Sequence, residues 1–82
     1  MQSHWQSRLA RPIVLRDGTR LETLLDAGTF ITGLPEAFHH RNAWIRAVEL
    51  LTEAAERDGS IEAATDQIER ALFLQGIWMP RT

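Results

Sequence analysis

The sequence predicts an α+β domain in which an N-terminal two-stranded antiparallel β-hairpin is followed by three α-helices. Near the N-terminus, apolar residues flank the pair Asp17-Gly18, which is a strong short-range signal of a hairpin. Helical periodicity then recurs in three segments that proline, glycine or serine separates. The middle segment, residues 42–59, has the widest apolar face, so we expect it to be the central helix.

Length and composition limit the class of protein. The 82 residues suffice for one domain, 1–82, with a small core, because a chain this short buries only about 60–65% of its unfolded surface. Its apolar fraction of 44% is typical of soluble proteins, and no apolar run approaches the roughly 20 residues of a membrane span. The first ten residues also lack the apolar core of a secretory signal. We therefore expect a cytoplasmic protein without membrane association.

The two ends of the chain show no clear periodicity. We expect residues 1–10 to form a flexible arm, residues 11–79 the folded core and residues 80–82 a tail. Trp5 stands out in the arm and has two interpretations: it folds back over the edge of the core, or it contacts a partner.

The hairpin begins near Pro12, and its register follows from burial. A two-residue turn at Asp17-Gly18 would divide the apolar residues between both faces of the sheet. A three-residue loop, 16–18, with glycine in the left-handed conformation instead leaves Val14 outside. It gathers three apolar residues on a face that we expect to meet the central helix: Ile13, Leu15 and Leu21.

The first helix begins with a capping signal and ends at Pro35. Thr23 is the predicted N-cap, with Asp26 at the position of the capping-box acid. The core face then consists of Leu24, Ala27, Phe30, Ile31 and Leu34. Gly28 shares that face, and we expect it to allow the close approach of another backbone, since a mid-helix glycine costs about 1 kcal/mol relative to alanine.

The central helix is predicted to start at Asn42, as N-cap, and to close at a left-handed Gly59. Ile45 and Leu50 flank its inner stripe and widen the apolar arc to roughly 220°, so we expect neighbours on two or three sides. The stripe itself consists of Trp44, Ala47, Val48, Leu51, Ala54 and Ala55.

The third helix is predicted to start at Ser60 and to end at Gly76. Its inner face carries Ile61, Ala64, Ile68, Ala71 and Leu72. Phe73 and Leu74 point to either side of that face, where solvent or a partner should lie. Trp78 follows in an end that is more apolar than a soluble tail requires.

This pattern resembles a family of small bacterial proteins known as domain of unknown function nine-eight-two. The shared features are the alternating segment 12–15, the cap Thr23 with its acid-alanine pair 26–27, the central helix with Trp44 and Ala47, and the ending 76–77. Where the family shows tryptophan-proline after the first helix, this chain has Leu34-Pro35. The resemblance covers about residues 9–79, and it implies no activity, because the family has none assigned.

Catalytic and metal chemistry finds little support in the composition. The chain has no cysteine, lysine or tyrosine, which excludes thiolate, Schiff-base and phosphate-loop lysine chemistry. The adjacent His39 and His40 would point apart in a loop and lack the spacing of a zinc site. Ser60 is explained as a helix cap. We therefore expect no enzyme, with no catalytic, cofactor-binding or metal-binding residue.

Charge is distributed unevenly along the chain. Four arginines against Asp17 give residues 1–21 a charge of +3, so the formal net charge of −2 leaves −5 for the rest. Nucleic-acid binding through these arginines is therefore an alternative function, although a pI near 5.8 does not favour it. The candidate phosphate contacts are Arg8, Arg11, Arg16 and Arg20.

The favoured interpretation is a protein-interaction or regulatory module that acts through a homodimer or a partner protein. A small core and apolar residues outside the inner helix faces are its basis. The candidate interface residues are Trp5, Phe73, Leu74 and Trp78. Two routes to a dimer are open: pairing of hairpin edges, and a self-complementary apolar patch.

Overall fold

A computed structural model describes residues 4–76 and confirms the α+β class. The hairpin comprises β1 (Arg8–Val14) and β2 (Arg20–Thr23). The helices are α1 (Leu24–Thr32), α2 (Glu36–His39), α3 (Asn42–Glu56) and α4 (Ile61–Leu74). Helix α2 is an additional short helix, in the segment where the sequence predicted only a connection.

The predicted hairpin register is confirmed. Ile13 pairs with Leu21, the Leu15 N–H donates to the Thr19 carbonyl over 2.8 Å, and Gly18 has a φ of 92°. Ile13, Leu15 and Leu21 are buried whereas Val14 is exposed. The expected partner was wrong, however: β1 packs mainly on α4 and β2 on α1 rather than on the central helix.

The N-terminal segment differs most from expectation. Instead of a flexible arm, residues 8–10 belong to β1, where Leu9 is buried in the core. The N–H of His4 donates to the Ala55 carbonyl over 2.6 Å, and the N–H of Leu25 donates to the Trp5 carbonyl over 2.8 Å. The segment therefore links α3 to the start of α1, a role that its own sequence periodicity does not indicate.

Helix α1 begins as predicted. Thr23 and Asp26 form a complete capping box, and Leu24, Ala27 and Ile31 are buried. The helix ends at Thr32, before Pro35. The expected reason for Gly28 was wrong in one respect, because the group that approaches it is the Trp5 side chain: a Cβ atom at Gly28 would lie 3.2 Å from Trp5 Cζ3.

Both predicted caps of α3 are wrong. Asn42 is already helical, and Arg41 occupies the N-cap position without a side-chain hydrogen bond. At the other end the left-handed residue is Asp58, with a φ of 56°. Gly59 is required for space instead, since a Cβ atom there would lie 3.0 Å from the backbone of Glu53.

Helix α3 is central, because it packs against α1, α2 and α4. Trp44, Ala47, Leu51, Ala54 and Ala55 are buried along it. Val48, which we placed on the inner stripe, is exposed, as is Ile45. The wide apolar arc is thus only partly covered.

Helix α4 agrees with the prediction at both ends. The Ser60 hydroxyl accepts the N–H of Ala63 over 3.0 Å, and Gly76 follows the helix with a φ of 75°. The inner face is buried except Ile61, which is half-buried. Two polar residues that we had not assigned to the core, Thr65 and Glu69, are buried with it.

Candidate interaction surface

A polar cluster joins β1 to α4. The Ala10 N–H donates to Thr65 Oγ1 over 3.0 Å, and Arg11 Nε donates to Glu69 Oε2 over 3.0 Å. Arg11 also donates through Nη2 to the carboxylates of Glu69 and Asp66. Its hydrogen bonds with Glu69 first, and then with Asp66, raise the pKa of Arg11 above its ordinary value. Strand and helix are therefore connected by charge as well as by apolar packing.

Two of the four candidate phosphate-binding arginines are paired with carboxylates of the same chain. Arg11 is occupied by two carboxylates of α4. Arg20 Nε lies 3.2 Å from a carboxylate oxygen of Glu22. Arg8 begins β1 and Arg16 lies in the loop that follows the strand, and both are exposed. Phosphate binding by Arg11 would first require the separation of its ion pairs.

The outer edges of the hairpin offer few backbone donors. On β1, the Ala10 N–H is bonded to Thr65, and Pro12 has no N–H. On β2, the Glu22 N–H donates to Asp26 Oδ2 over 3.0 Å. Edge pairing with a second chain at these positions would have to displace such bonds.

Large apolar side chains lie exposed at the end of α4. Phe73 is 49% exposed and Leu74 66% exposed. The helix end itself is held in place, because Trp44 Nε1 on α3 donates to Gln75 Oε1 over 2.8 Å. We call Phe73 and Leu74 the α4 end patch. Trp78, the third candidate residue in this part of the chain, lies outside the described residues.

Trp5, the remaining candidate interface residue, is half-buried against the fold. Its ring meets Gly28 of α1, and its Nε1 donates to Glu56 Oε2 of α3 over 3.3 Å. Of the two interpretations left open by the sequence, the structure favours the tryptophan that folds back over the core.

A second apolar surface runs along α1 from Trp5 and reaches α3 at its far end. One part is lined by Trp5, Leu25, Gly28, Thr29, Thr32 and Gly33. Thr32 also lines the adjoining part, together with Ile31, His39, Trp44 and Val48. We call the whole the α1–α3 groove. Leu25 and Val48 are 49% and 43% exposed in it. Leu25 was not among the interface residues predicted from the sequence, although helical periodicity places it beside the buried stripe of α1.

His39 and His40 lie in different surroundings. His39 Nε2 lies 3.0 Å from the carbonyl oxygen of Ile31, so this nitrogen acts as a donor, and His40 is exposed. Within residues 4–76 no group of three or more histidine or acidic side chains is arranged to hold a metal ion. In the same range no helix has both the length and the apolar character needed to span a membrane.

Comparison with family models, curated proteins and solved structures gives no match. The resemblance to domain of unknown function nine-eight-two stays a prediction that rests on the residues quoted for it. Function must therefore be argued from the surfaces themselves.

Proposed function

We propose that this protein is a protein-interaction module that associates through the α4 end patch, with a second copy of the chain as its partner. The observation that carries the proposal is the exposure of Phe73 and Leu74 on a helix end that the Trp44–Gln75 hydrogen bond holds in place. Exposed neighbouring apolar side chains favour association, because contact removes their surface from water.

A patch on a formed helix is suited to this role. Binding through a segment that is already helical avoids part of the entropy cost of fixing a mobile segment. Gly76 follows with a left-handed backbone, so the helix is terminated directly after the patch. Phe73 and Leu74 can therefore enter an interface from the end of a defined helix.

Association through the α4 end patch is preferred over edge pairing for a physical reason. A twofold interface needs one surface that complements itself, and two copies of an apolar patch meet this condition. The hairpin edges do not, since Pro12 lacks a donor and the Ala10 and Glu22 N–H groups already have acceptors.

Nucleic-acid binding through Arg8, Arg11, Arg16 and Arg20 is the alternative function, and no contact favours it. The pairing of Arg11 with Glu69 and Asp66 argues against it, because a phosphate would have to compete with two carboxylates.

Light scattering over a range of micromolar concentrations tests the proposal. We expect the unmodified protein to show a mass above one chain that rises with concentration. The double variant Phe73→Ser/Leu74→Ser should return to the mass of one chain, whereas the control Val14→Ser, at an exposed apolar site on β1, should not.

The mass of a single chain at every concentration, for the unmodified protein, would rule out the second copy as partner. An associated species that persists in the double variant would place the interface elsewhere. Circular dichroism of each variant shows whether it retains its helices.

A further inference from the structure

The outer face of α4 carries charged residues beside the α4 end patch. An open hollow in this face is lined by Ala63, Asp66, Gln67, Glu69, Arg70 and Phe73. We propose that α4 packs antiparallel on α4 of a second copy, so that each Phe73 enters the hollow beside Ala63 of the other copy. Each Arg70 then pairs with Asp66 of the other copy. Such packing presupposes the association through the α4 end patch proposed above.

Helical geometry places four of the lining residues on one outward face. At 100° per residue, positions 63, 66, 70 and 73 fall within an arc of roughly 80°. Asp66, Arg70 and Phe73 are exposed, and Ala63 is half-buried. Ile68, on the opposite side of the helix, is fully buried. A second helix can therefore approach this face along about 15 Å of its length.

The charges on this face are not balanced within one copy. Arg11 pairs with both Asp66 and Glu69, so one positive charge meets two negative charges and a net charge of −1 remains. Asp66 is the outer carboxylate, since its side chain is 57% exposed and that of Glu69 is 11% exposed. Its Oδ1 accepts the bond from Arg11, and within residues 4–76 nothing donates to its Oδ2.

Arg70 supplies the complementary charge. It is exposed, and in the described part of the chain it has no ion pair, although Asp66 lies only four positions before it on the same helix. The face thus carries an unpaired positive charge about 6 Å along the helix from a carboxylate group with an unsatisfied negative charge. Charges placed in this way favour a partner in which their order is reversed.

One twofold axis satisfies both contacts. The pairs 66 with 70 and 63 with 73 are each centred on position 68, so an antiparallel copy related by an axis at that level brings both pairs together at once. Alanine at position 63 leaves space for the incoming ring. A parallel copy would instead place Arg70 against Arg70, where like charges repel. The antiparallel order also opposes the two helix dipoles.

Charge-reversed variants test this register. Arg70→Asp should weaken self-association at least about tenfold, which is about 1.4 kcal/mol, because carboxylates then face each other. Asp66→Arg should weaken it as well, because guanidinium groups then face each other. An equimolar mixture of the two variants should recover the mass of two chains in light scattering, since each carboxylate of one then faces a guanidinium of the other. Arg46→Asp, at an exposed arginine of α3, is the matched control and should associate normally.

Urea denaturation verifies that each variant is folded. If Asp66→Arg is unstable because Arg11 has lost a partner, Arg70→Asp alone decides, since Arg70 has no ion pair to lose among residues 4–76. The mass of one chain for the unmodified protein at every concentration would overturn both this packing and the proposed association. Association that Phe73→Ser/Leu74→Ser abolishes but Arg70→Asp leaves unchanged would overturn the antiparallel packing alone.

Discussion

At the scale of single residues, Asp26 connects the hairpin to the helices. Its Oδ2 accepts the N–H groups of Glu22 over 3.0 Å and Thr23 over 3.2 Å, while its own N–H donates to the Thr23 hydroxyl over 3.1 Å. The hydrogen bond from Glu22 first, and those from Thr23 next, lower the pKa of Asp26 despite some burial. One carboxylate thus fixes the angle at which α1 leaves β2.

Replacement of this carboxylate should make stability less dependent on pH. Asp26→Asn should lower the free energy of unfolding at pH 7 by about 1 kcal/mol, as loss of a helix cap does. Because the folded-state pKa lies below the unfolded value, this stabilisation is present above the unfolded pKa and is lost as pH falls through the folded one. The two proteins should therefore converge in acid.

Urea denaturation of both proteins at pH 7 and at about pH 2.5 measures this convergence. Glu62→Gln, at an exposed acid in the first turn of α4, controls for the loss of a charge near a helix start. A difference between wild type and Asp26→Asn that stays constant with pH would contradict the assigned role of the carboxylate.

At the scale of elements, α3 organises the other helices. Trp44 is buried between α1 and α4: its ring centre lies 6.3 Å from that of Phe30, and its Nε1 donates to Gln75. Leu51 is buried about two turns further along the same face. These two side chains fill the space where the helices meet.

Truncation of either side chain should therefore destabilise the protein severely. We expect Trp44→Ala and Leu51→Ala each to cost on the order of 3–5 kcal/mol, the range for large buried side chains. Ile45→Ala, on the exposed side of the same helix, is the control and should cost less than about 0.5 kcal/mol. Chemical denaturation provides the values, and costs below about 1 kcal/mol at both buried sites would show that α3 is not the centre.

At the scale of the whole molecule, the N-terminal segment ties together elements from both halves of the chain. His4 bonds to Ala55, and the Ser7 carbonyl accepts the N–H of Leu24 over 3.0 Å. The Trp5 side chain connects α1 to α3, because its ring packs on Gly28 and its indole N–H donates to Glu56. The segment thereby covers a core that is small for its surface.

Loss of the Trp5 ring should expose this part of the core. Trp5→Ala should lower the free energy of unfolding by about 1–3 kcal/mol, in keeping with a side chain that is only partly buried. Gln6→Ala, at the adjacent exposed position, should have little effect. Equal stability of the two variants in thermal and chemical denaturation would mean that Trp5 does not stabilise the fold.

Local features could be predicted from the sequence because their causes lie within a few residues. The bulged loop at Gly18, the capping box of Thr23 and Asp26, and the Ser60 cap all depend on neighbours in the chain. The exposure of Phe73 and Leu74, on which the α4 end patch rests, followed from helical periodicity alone. By itself, the sequence thus determined the fold class, the hairpin register and these two exposed residues.

Only the tertiary structure decided which distant residues meet. Arg11 and Glu69 are 58 positions apart, and Trp5 and Glu56 are 51 apart, so no local period relates them. The exposure of Val48 could not be predicted from local sequence either. Its apolar character suits a buried position, but its exposure depends on where α1 packs against α3. The part of the α1–α3 groove that includes Trp44 and Val48 could not be predicted, because it arises from the space between two helices rather than from a pattern within either.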